Sequence, residues 1–299
     1  MQKSILSFLR KFSVVFIFFS LIINLQAQEE ATPKMAWEVT SPQGETAYFI
    51  GSVHMVKPEL YPLDSVYYQL LEKADVVGFE VNMDSLLIQS QTLLPKYGLY
   101  PMGETLKDHL SEKTFIKLEK HMDSLGVPLA MMLQMKPWVV ASSLTALGLQ
   151  KAGYSSQGID QHFFTKAKDA NKEIIGLETT EFQMRIFADM TDEEQVDFLE
   201  YSLDHAKEGI DSIDEIMELW KKGDSENLNK LMEGGMEEFS PEVYQDLIIN
   251  RNKNWVPEIE KLLKEGKTPL IIVGVGHLVG ENSVNNLLIE EGYQVKQLH

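Results

Sequence analysis

Four apolar runs in this chain end in the same way. Each reaches a glycine, and a His or Glu follows two or three residues later: Ile50-Gly51-Ser52-Val53-His54, Val77-Gly78-Phe79-Glu80, Ile175-Gly176-Leu177-Glu178 and Val273-Gly274-Val275-Gly276-His277. Short apolar runs bounded by glycine read as buried strands. Where strands alternate with helices, ligands bind in the crevice at the carboxyl ends of the strands, because loops converge there on a rigid frame. Two His and two Glu are therefore placed to meet. Each of them alone also suits a helix cap or a hydrogen bond in a loop. Four similar endings weigh against that alternative, and imidazole with carboxylate is a ligand set for Zn, Mn, Co or Fe.

The rest of the chain supports an α/β or α+β fold, a mixed sheet with surrounding helices and a large helical insertion. Met35 to Thr40 and Ala47 to Gly51 flank Ser41-Pro42-Gln43-Gly44 and read as a hairpin. A helix around Leu63 to Lys73 and a buried strand Asp75 to Val81 follow, then a mostly helical section from Ser85 to Lys172. A strand at Glu173 to Leu177, a run of acidic helices, a helix opened by Ser240-Pro241, a strand at Pro269 to Gly274 and a last helix and strand near Leu298 complete the order. Thr191 with Glu194 forms a capping box, and Val196, Leu199 and Leu203 continue at helical spacing. From Asp192 to Glu242 there are 17 acids and 4 bases, so the segment at about 191–240 holds most of the excess charge. It reads as a solvated face, with a docking surface for a basic partner or divalent cations as the alternative.

Composition narrows the chemistry. The 299 residues carry 45 acidic and 27 basic side chains, a net charge of -18, which argues against a nucleic-acid partner. With no cysteine, disulfides, thiolate nucleophiles and iron–sulfur clusters are excluded. Lys3, Arg10 and Lys11 precede the apolar run Phe12 to Ile23, too short to span a bilayer, and Ala27 suits cleavage. Residues 1–27 are thus expected to be a signal peptide and 28–299 an exported domain, periplasmic or extracellular. A membrane contact follows only if the segment is retained as an anchor. Cleavage removes three cations and leaves 24 basic against 45 acidic residues.

With these features the chain resembles the TraB/PrgY/GumN superfamily, which includes the Tiki-type metalloproteases. The resemblance runs along essentially the whole of residues 28–299. It is carried by Tyr48-Phe49-Ile50-Gly51-Ser52-Val53-His54 after a strand containing Trp37, Phe79-Glu80, Lys136-Pro137-Trp138, Gly158-Ile159-Asp160, Leu177-Glu178-Thr179, Arg251-Asn252 and Val273-Gly274-Val275-Gly276-His277. It implies an α/β fold in which two G-x-x-H histidines and an acidic residue bind a divalent metal, with peptide hydrolysis known for the Tiki-type branch and pheromone shutdown linked to others. Carried over, His54 and His277 are metal ligands, Glu80 a ligand or general base, and Asp160 and Glu178 further candidates. Asp160 also suits a cap of the helix that contains His162.

Arg251 joins them on its own pattern. It follows Tyr244, Leu247 and Ile248 at helical spacing, with Trp255 one turn later, so it lies on an apolar face and needs anionic partners. Those are the site carboxylates, a developing oxyanion or a structural acid. The expected activity is an exported, metal-dependent hydrolysis of a peptide or protein, with Mn, Co or Zn activating water and Glu80 or Glu178 taking the proton. The alternative is a non-catalytic binding protein for a peptide, haem or metal on the same fold.

Other motifs fail. Gly266-Lys267-Thr268 lacks the phosphate loop's first glycine, since Lys261 stands there, and Val279 replaces the third glycine of a dinucleotide fingerprint. Met131, Met132 and Met135 near Trp138 read as core or groove lining.

Overall fold

The hairpin read from the sequence opens the sheet: β1 (Ala36–Thr40) and β2 (Thr46–Ser52) pair antiparallel with Trp37 opposite Phe49. The structure is a computed structural model that describes residues 32–239 and 241–299, the side chains of 233–239 apart. The expected signal segment, 1–27, lies outside the described residues, as does Ser240. Among the described residues no helix is long and apolar enough to cross a membrane.

From β2 the chain crosses through α1 (Ser65–Lys73) to β3 (Val76–Phe79). Asp64 opens α1 by accepting from the Val66 amide. Then come α2 (Met83–Tyr97), α3 (Leu106–His109), α4 (Glu112–Leu125), α5 (Pro137–Lys151), α6 (Ile159–Asp169) and β4 (Glu173–Gly176). The next stretch holds α7 (Thr180–Ala188), α8 (Asp192–Asp204), α9 (Ala206–Lys222), α10 (Ser225–Phe239) and α11 (Pro241–Tyr244). A π-helical turn, Gln245–Ile249, leads into α12 (Asn250–Lys264), and β5 (Pro269–Gly274), α13 (Val284–Glu290) and β6 (Gln294–Gln297) end the chain.

The strand order is β4-β3-β5-β2-β1-β6. β4, β3, β5 and β2 are mutually parallel and β1 is antiparallel to both of its neighbours, which makes the sheet mixed and the fold α/β. Parallel strands carry their apolar side chains on both faces, and β5, at the centre, is buried along all but its last residue. Because these four strands run the same way, their carboxyl ends share one edge. Ser52 stands level with Gly274, and Phe79 with Ile272 on one side and Gly176 on the other. The four glycine-terminated runs therefore deliver their His and Glu residues to one place.

The inserted helices have a core of their own. Leu118 and Met122 of α4, Val140 and Leu144 of α5, and Leu199 and Leu203 of α8 pack together with Leu106 and Met132. Met135 packs against this cluster, whereas Met131 is 67% exposed, so the three methionines divide between core and surface.

The acidic α9 is anchored by its inner face, where Met217 and Trp220 are buried. Trp220 stacks on Tyr67 at 5.4 Å and its indole N–H donates to the Gly51 carbonyl at 2.8 Å, tying the acidic segment to the end of β2. Truncation there removes a large apolar group and leaves that carbonyl unpaired. Trp220→Ala is expected to lower the unfolding free energy by about 3–5 kcal/mol. Trp220→Phe, which mainly removes the hydrogen bond, should cost about 1–2 kcal/mol. Urea unfolding followed by circular dichroism measures both.

Candidate active site at the carboxyl edge of the sheet

The ends of β3 and β4 are tied beyond the strands themselves. Leu177 N–H donates to the Phe79 carbonyl at 2.8 Å and Glu178 N–H to the Glu80 carbonyl at 2.9 Å, so Glu80 and Glu178 sit side by side. Both are buried, their side chains 10% and 6% exposed. Two adjacent buried carboxylates need a cation. Arg251, 4% exposed on α12, supplies it. Its Nη2 lies 2.5 Å from Glu80 Oε2 and 2.8 Å from Glu178 Oε1, and its Nε shares both oxygens of Glu178 at 3.1 Å.

Nη1 of Arg251 donates to the Leu247 carbonyl of the π-helical turn at 2.9 Å and meets His277 Nε2 at 3.1 Å. Every N–H of the guanidinium is thus engaged. The indole N–H of Trp255, one turn along α12, adds a bond to Glu178 Oε2 at 3.1 Å. Both oxygens of Glu178 are therefore held by Arg251 and Trp255, while Glu80 Oε1 is turned toward the histidines.

His277 lies in a 3₁₀ turn, Val275–His277, directly after β5 and is 4% exposed. Its Nδ1 lies 2.7 Å from Asn252 Oδ1, and Asn252 Nδ2 donates to the Asn282 carbonyl at 2.8 Å. With its amide nitrogen so used, Asn252 accepts from His277, which puts the ring proton on Nδ1 and leaves the Nε2 lone pair facing the site. Burial lowers the His277 pKa to about 3 despite the pull of Glu80, so the ring is neutral.

His54 follows β2 and stands at the open side, its side chain 62% exposed. Its Nδ1 is held at 2.7 Å by Asp160 Oδ2. Desolvation opposes the imidazolium, but the Asp160 hydrogen bond and charge, helped by Glu80, outweigh it and raise the pKa. Asp160 lies in the first turn of α6, whose N-cap is Gly158, so its side chain serves His54 rather than the cap foreseen from its place before His162. Gly158 permits this contact. A β-carbon there would fall 2.3 Å from the His54 carbonyl oxygen and 2.6 Å from Asp160 Oδ1. His162 instead lies 4.5 Å from the ring of Tyr61 and 3.2 Å from the hydroxyl of Tyr68.

The centre of the site is the bare backbone of Gly274. Its N–H donates to Glu80 Oε1 at 2.8 Å, and a β-carbon would lie 3.2 Å from that oxygen, 3.6 Å from His277 Cδ2 and 3.9 Å from His54 Nε2. Around this opening, His54 Nε2 is 3.8 Å and His277 Nε2 3.9 Å from Glu80 Oε1. Burial alone would raise the Glu80 pKa. The charges of His54 and Arg251, with the Gly274 N–H, hold it well below the carboxylate range. Glu178 moves the other way: burial raises its pKa and Arg251 only partly opposes this.

The structure thus brings together all six residues singled out by sequence: His54, Glu80, Asp160, Glu178, Arg251 and His277. It adds Gln183 of α7, whose Nε2 donates to Glu80 Oε2 at 3.0 Å, and gives Asn252 and Trp255 definite partners. Asn252 and Trp255 had a signal in the sequence, one as neighbour of Arg251 and one as its helical repeat. Gln183 had none.

A match to the model of the TraB/PrgY/gumN family covers residues 35–297 and so includes every one of these groups. The chain belongs to the TraB/PrgY/gumN family. Among its relatives are the uncharacterized YbaP proteins of Shigella flexneri and Escherichia coli (strain K12), each 25% identical over 254 residues, which is 85% of this chain and 91% of theirs. No solved structure matches the chain. Lys136-Pro137-Trp138, one of the segments that carried the family resemblance, makes structural contacts, Trp138 stacking on Phe187 of α7. Pro137 opens α5, and the Trp138 indole N–H donates to the Tyr97 carbonyl at 3.3 Å.

The donor chemistry at Gly274 fits a divalent cation. Two imidazoles have Nδ1 engaged by Asp160 and Asn252 and turn Nε2 to the site, as ligating histidines with outer partners do, and that of His277 meets Arg251 Nη1 there. Two carboxylates and one guanidinium leave one negative charge uncompensated. Among the described residues no three His, Asp or Glu side chains already stand at metal-ligand spacing. The 3.8 and 3.9 Å separations exceed the roughly 3.3 Å between tetrahedral ligands at about 2.0 Å from an ion.

Removing the guanidinium tests the electrostatic account. Arg251→Met is expected to destabilise the protein by about 3–5 kcal/mol at neutral pH, because Glu80 and Glu178 are left buried without a counter-ion. Arg251→Lys should recover only part of that loss, since one ammonium cannot reach both carboxylates, the Leu247 carbonyl and His277. Urea denaturation of the three proteins gives the values.

Proposed function

We propose that this chain is an exported, metal-dependent hydrolase acting on peptides. The observation that carries the reading is the convergence of His54 Nε2, His277 Nε2 and Glu80 Oε1 over the side-chain-free Gly274. Export rests on the basic and apolar character of residues 1–27.

His54, His277 and Glu80 would hold the ion, with Mn, Co or Zn suited to this ligand set. Such an ion polarises a carbonyl and lowers the pKa of water. Asp160 and Asn252 fix the two imidazoles in the tautomer that presents Nε2. Glu80 is the carboxylate that faces both rings, and Arg251 and the Gly274 N–H keep it ionised, so that Oε1 serves either as ligand or as proton acceptor. Glu178, with both oxygens held, is a positioning residue for Arg251. Arg251 keeps Glu80 in place and contributes its charge to the stabilisation of negative charge on the reacting carbonyl.

The binding-protein reading draws on one specific observation. All N–H groups of Arg251 are already engaged, so none is free to donate to an oxyanion in this arrangement. The two readings separate experimentally. Protein beginning at residue 28 is incubated with Mn, Co or Zn and a mixed peptide library, and products are identified by mass spectrometry. Cleavage is expected with at least one metal and should fall at least about 100-fold in Glu80→Gln. His54→Ala with His277→Ala should lose the bound metal, measured by plasma emission. Gly274→Ala, which places a methyl group among the three donors, should weaken metal binding while the protein stays folded. Absence of cleavage with all three metals, together with unchanged metal content in the double His variant, overturns the hydrolase reading.

A further inference from the structure

A crevice of about 620 Å³ runs from His54 and Glu80 between α2 and α6. One wall is apolar, formed by Met83, Leu86 and Leu87 of α2 with Phe164 of α6. Although α2 spans 15 residues, it buries no side chain, and Leu87 is 70% exposed. This uncovered wall is continuous with the site, so whatever enters the crevice covers it.

Two polar atoms of the same crevice are buried without a hydrogen-bond partner. One is Ser52 Oγ, on a residue 2% exposed that stands opposite Gly274 in the β2–β5 register. The other is Asp160 Oδ1, whose companion oxygen holds His54. A buried polar atom without a partner is unfavourable, and here a hydroxyl able to donate and a carboxylate oxygen able to accept are both unpaired. A residue in an extended peptide offers both complements on one side, its carbonyl for Ser52 and its N–H for Asp160. The lining carries Glu80, Asp160 and Asp84, the last paired with Lys168, and no Lys or Arg, so it offers an anionic ligand little to bind. A charged side chain would be desolvated against the leucines.

We propose that this crevice is a subsite for one large apolar side chain of an extended peptide, with the Ser52 hydroxyl donating to the peptide carbonyl beside it. Cleavage next to that residue rests on the hydrolase reading above; binding does not. Ser52 is a positioning residue in this scheme.

The test uses chelator-treated protein and saturation-transfer NMR with N-acetyl-leucine N-methylamide against N-acetyl-aspartate N-methylamide. The leucine probe is expected to bind at least about tenfold more tightly, with its methyl groups receiving the strongest saturation. Leu87→Asp, at an exposed position, should abolish the preference. Ser52→Ala should weaken the leucine probe several-fold without lowering the melting temperature, because the hydroxyl has no partner to lose, whereas a structural hydroxyl would show the reverse. Equal binding of the two probes, or leucine binding unchanged in either variant, overturns the proposal. With metal restored and the peptide library added, selective leucine binding without cleavage keeps the subsite and, if the double His variant also keeps its metal content, removes the hydrolase reading. Cleavage without preference for apolar residues does the opposite.

Discussion

The site depends on one buried cation. Glu80 and Glu178 are brought side by side by the backbone bonds that extend the β3–β4 ladder, so their proximity is a consequence of the fold. Desolvating two carboxylates side by side is costly, and the Arg251 guanidinium makes it tolerable because its planar fork reaches both at once. Arg251 in turn is fixed by the π-helical turn, whose Leu247 carbonyl takes one of its N–H bonds, and by Trp255 beneath it at 4.8 Å. A widened turn directly before a functional side chain is a common use of π-helix. Local backbone irregularity in α12's approach thereby sets the position of a charge that the sheet edge requires.

That dependence explains which parts of the site were legible in the sequence. His54, Glu80, Glu178 and His277 each follow a glycine at the end of an apolar run, and parallel strands must bring such ends to one edge, so the local pattern already implied a common location. Arg251 was legible because an arginine at apolar helical spacing has to meet buried anions. The division of labour between the two glutamates was not. It follows from which carboxylate α12 approaches with Trp255 and which one the Gly274 N–H reaches, contacts spanning 77 and 194 positions that no local pattern records. Gln183 and the pairing of Asp160 with His54 were hidden for the same reason, and the helix-cap role that suited Asp160 locally gave way to a tertiary contact. The second core formed by α4, α5 and α8 is likewise a product of packing among segments whose helicity alone could be read.

The acidic segment shows charge and site to be separate matters. Its inner residues, Met217 and Trp220, are buried, and of its acids Asp214, itself exposed, pairs with Lys57 at 2.6 Å and accepts from the Tyr154 hydroxyl at 2.7 Å. Asp204 pairs with Lys117, and Asp211, Glu215 and Glu218 stand exposed. The net charge therefore reflects a solvated helix face more than the chemistry at the strand ends. What the segment does for the site is mechanical: Trp220 donates to the Gly51 carbonyl, three residues before His54, and so steadies the run that presents it.

The geometry also carries a constraint on any cation at Gly274. The His277 Nε2 lone pair is used by Arg251 Nη1, and a lone pair cannot serve a guanidinium and a metal ion at once. The imidazole itself is held in place from behind by Asn252, so the competition is settled by the guanidinium, whose other bonds to Glu80, Glu178 and Leu247 are independent of His277. On the proposed reading, the Arg251–His277 contact is the one bond of the network that ligand binding must replace. The N–H it releases is the same group whose engagement favoured the binding-protein reading. The two readings thus turn on a single hydrogen bond: while it persists Arg251 is a structural counter-ion, and once it is exchanged Arg251 regains a donor beside the reacting oxygen.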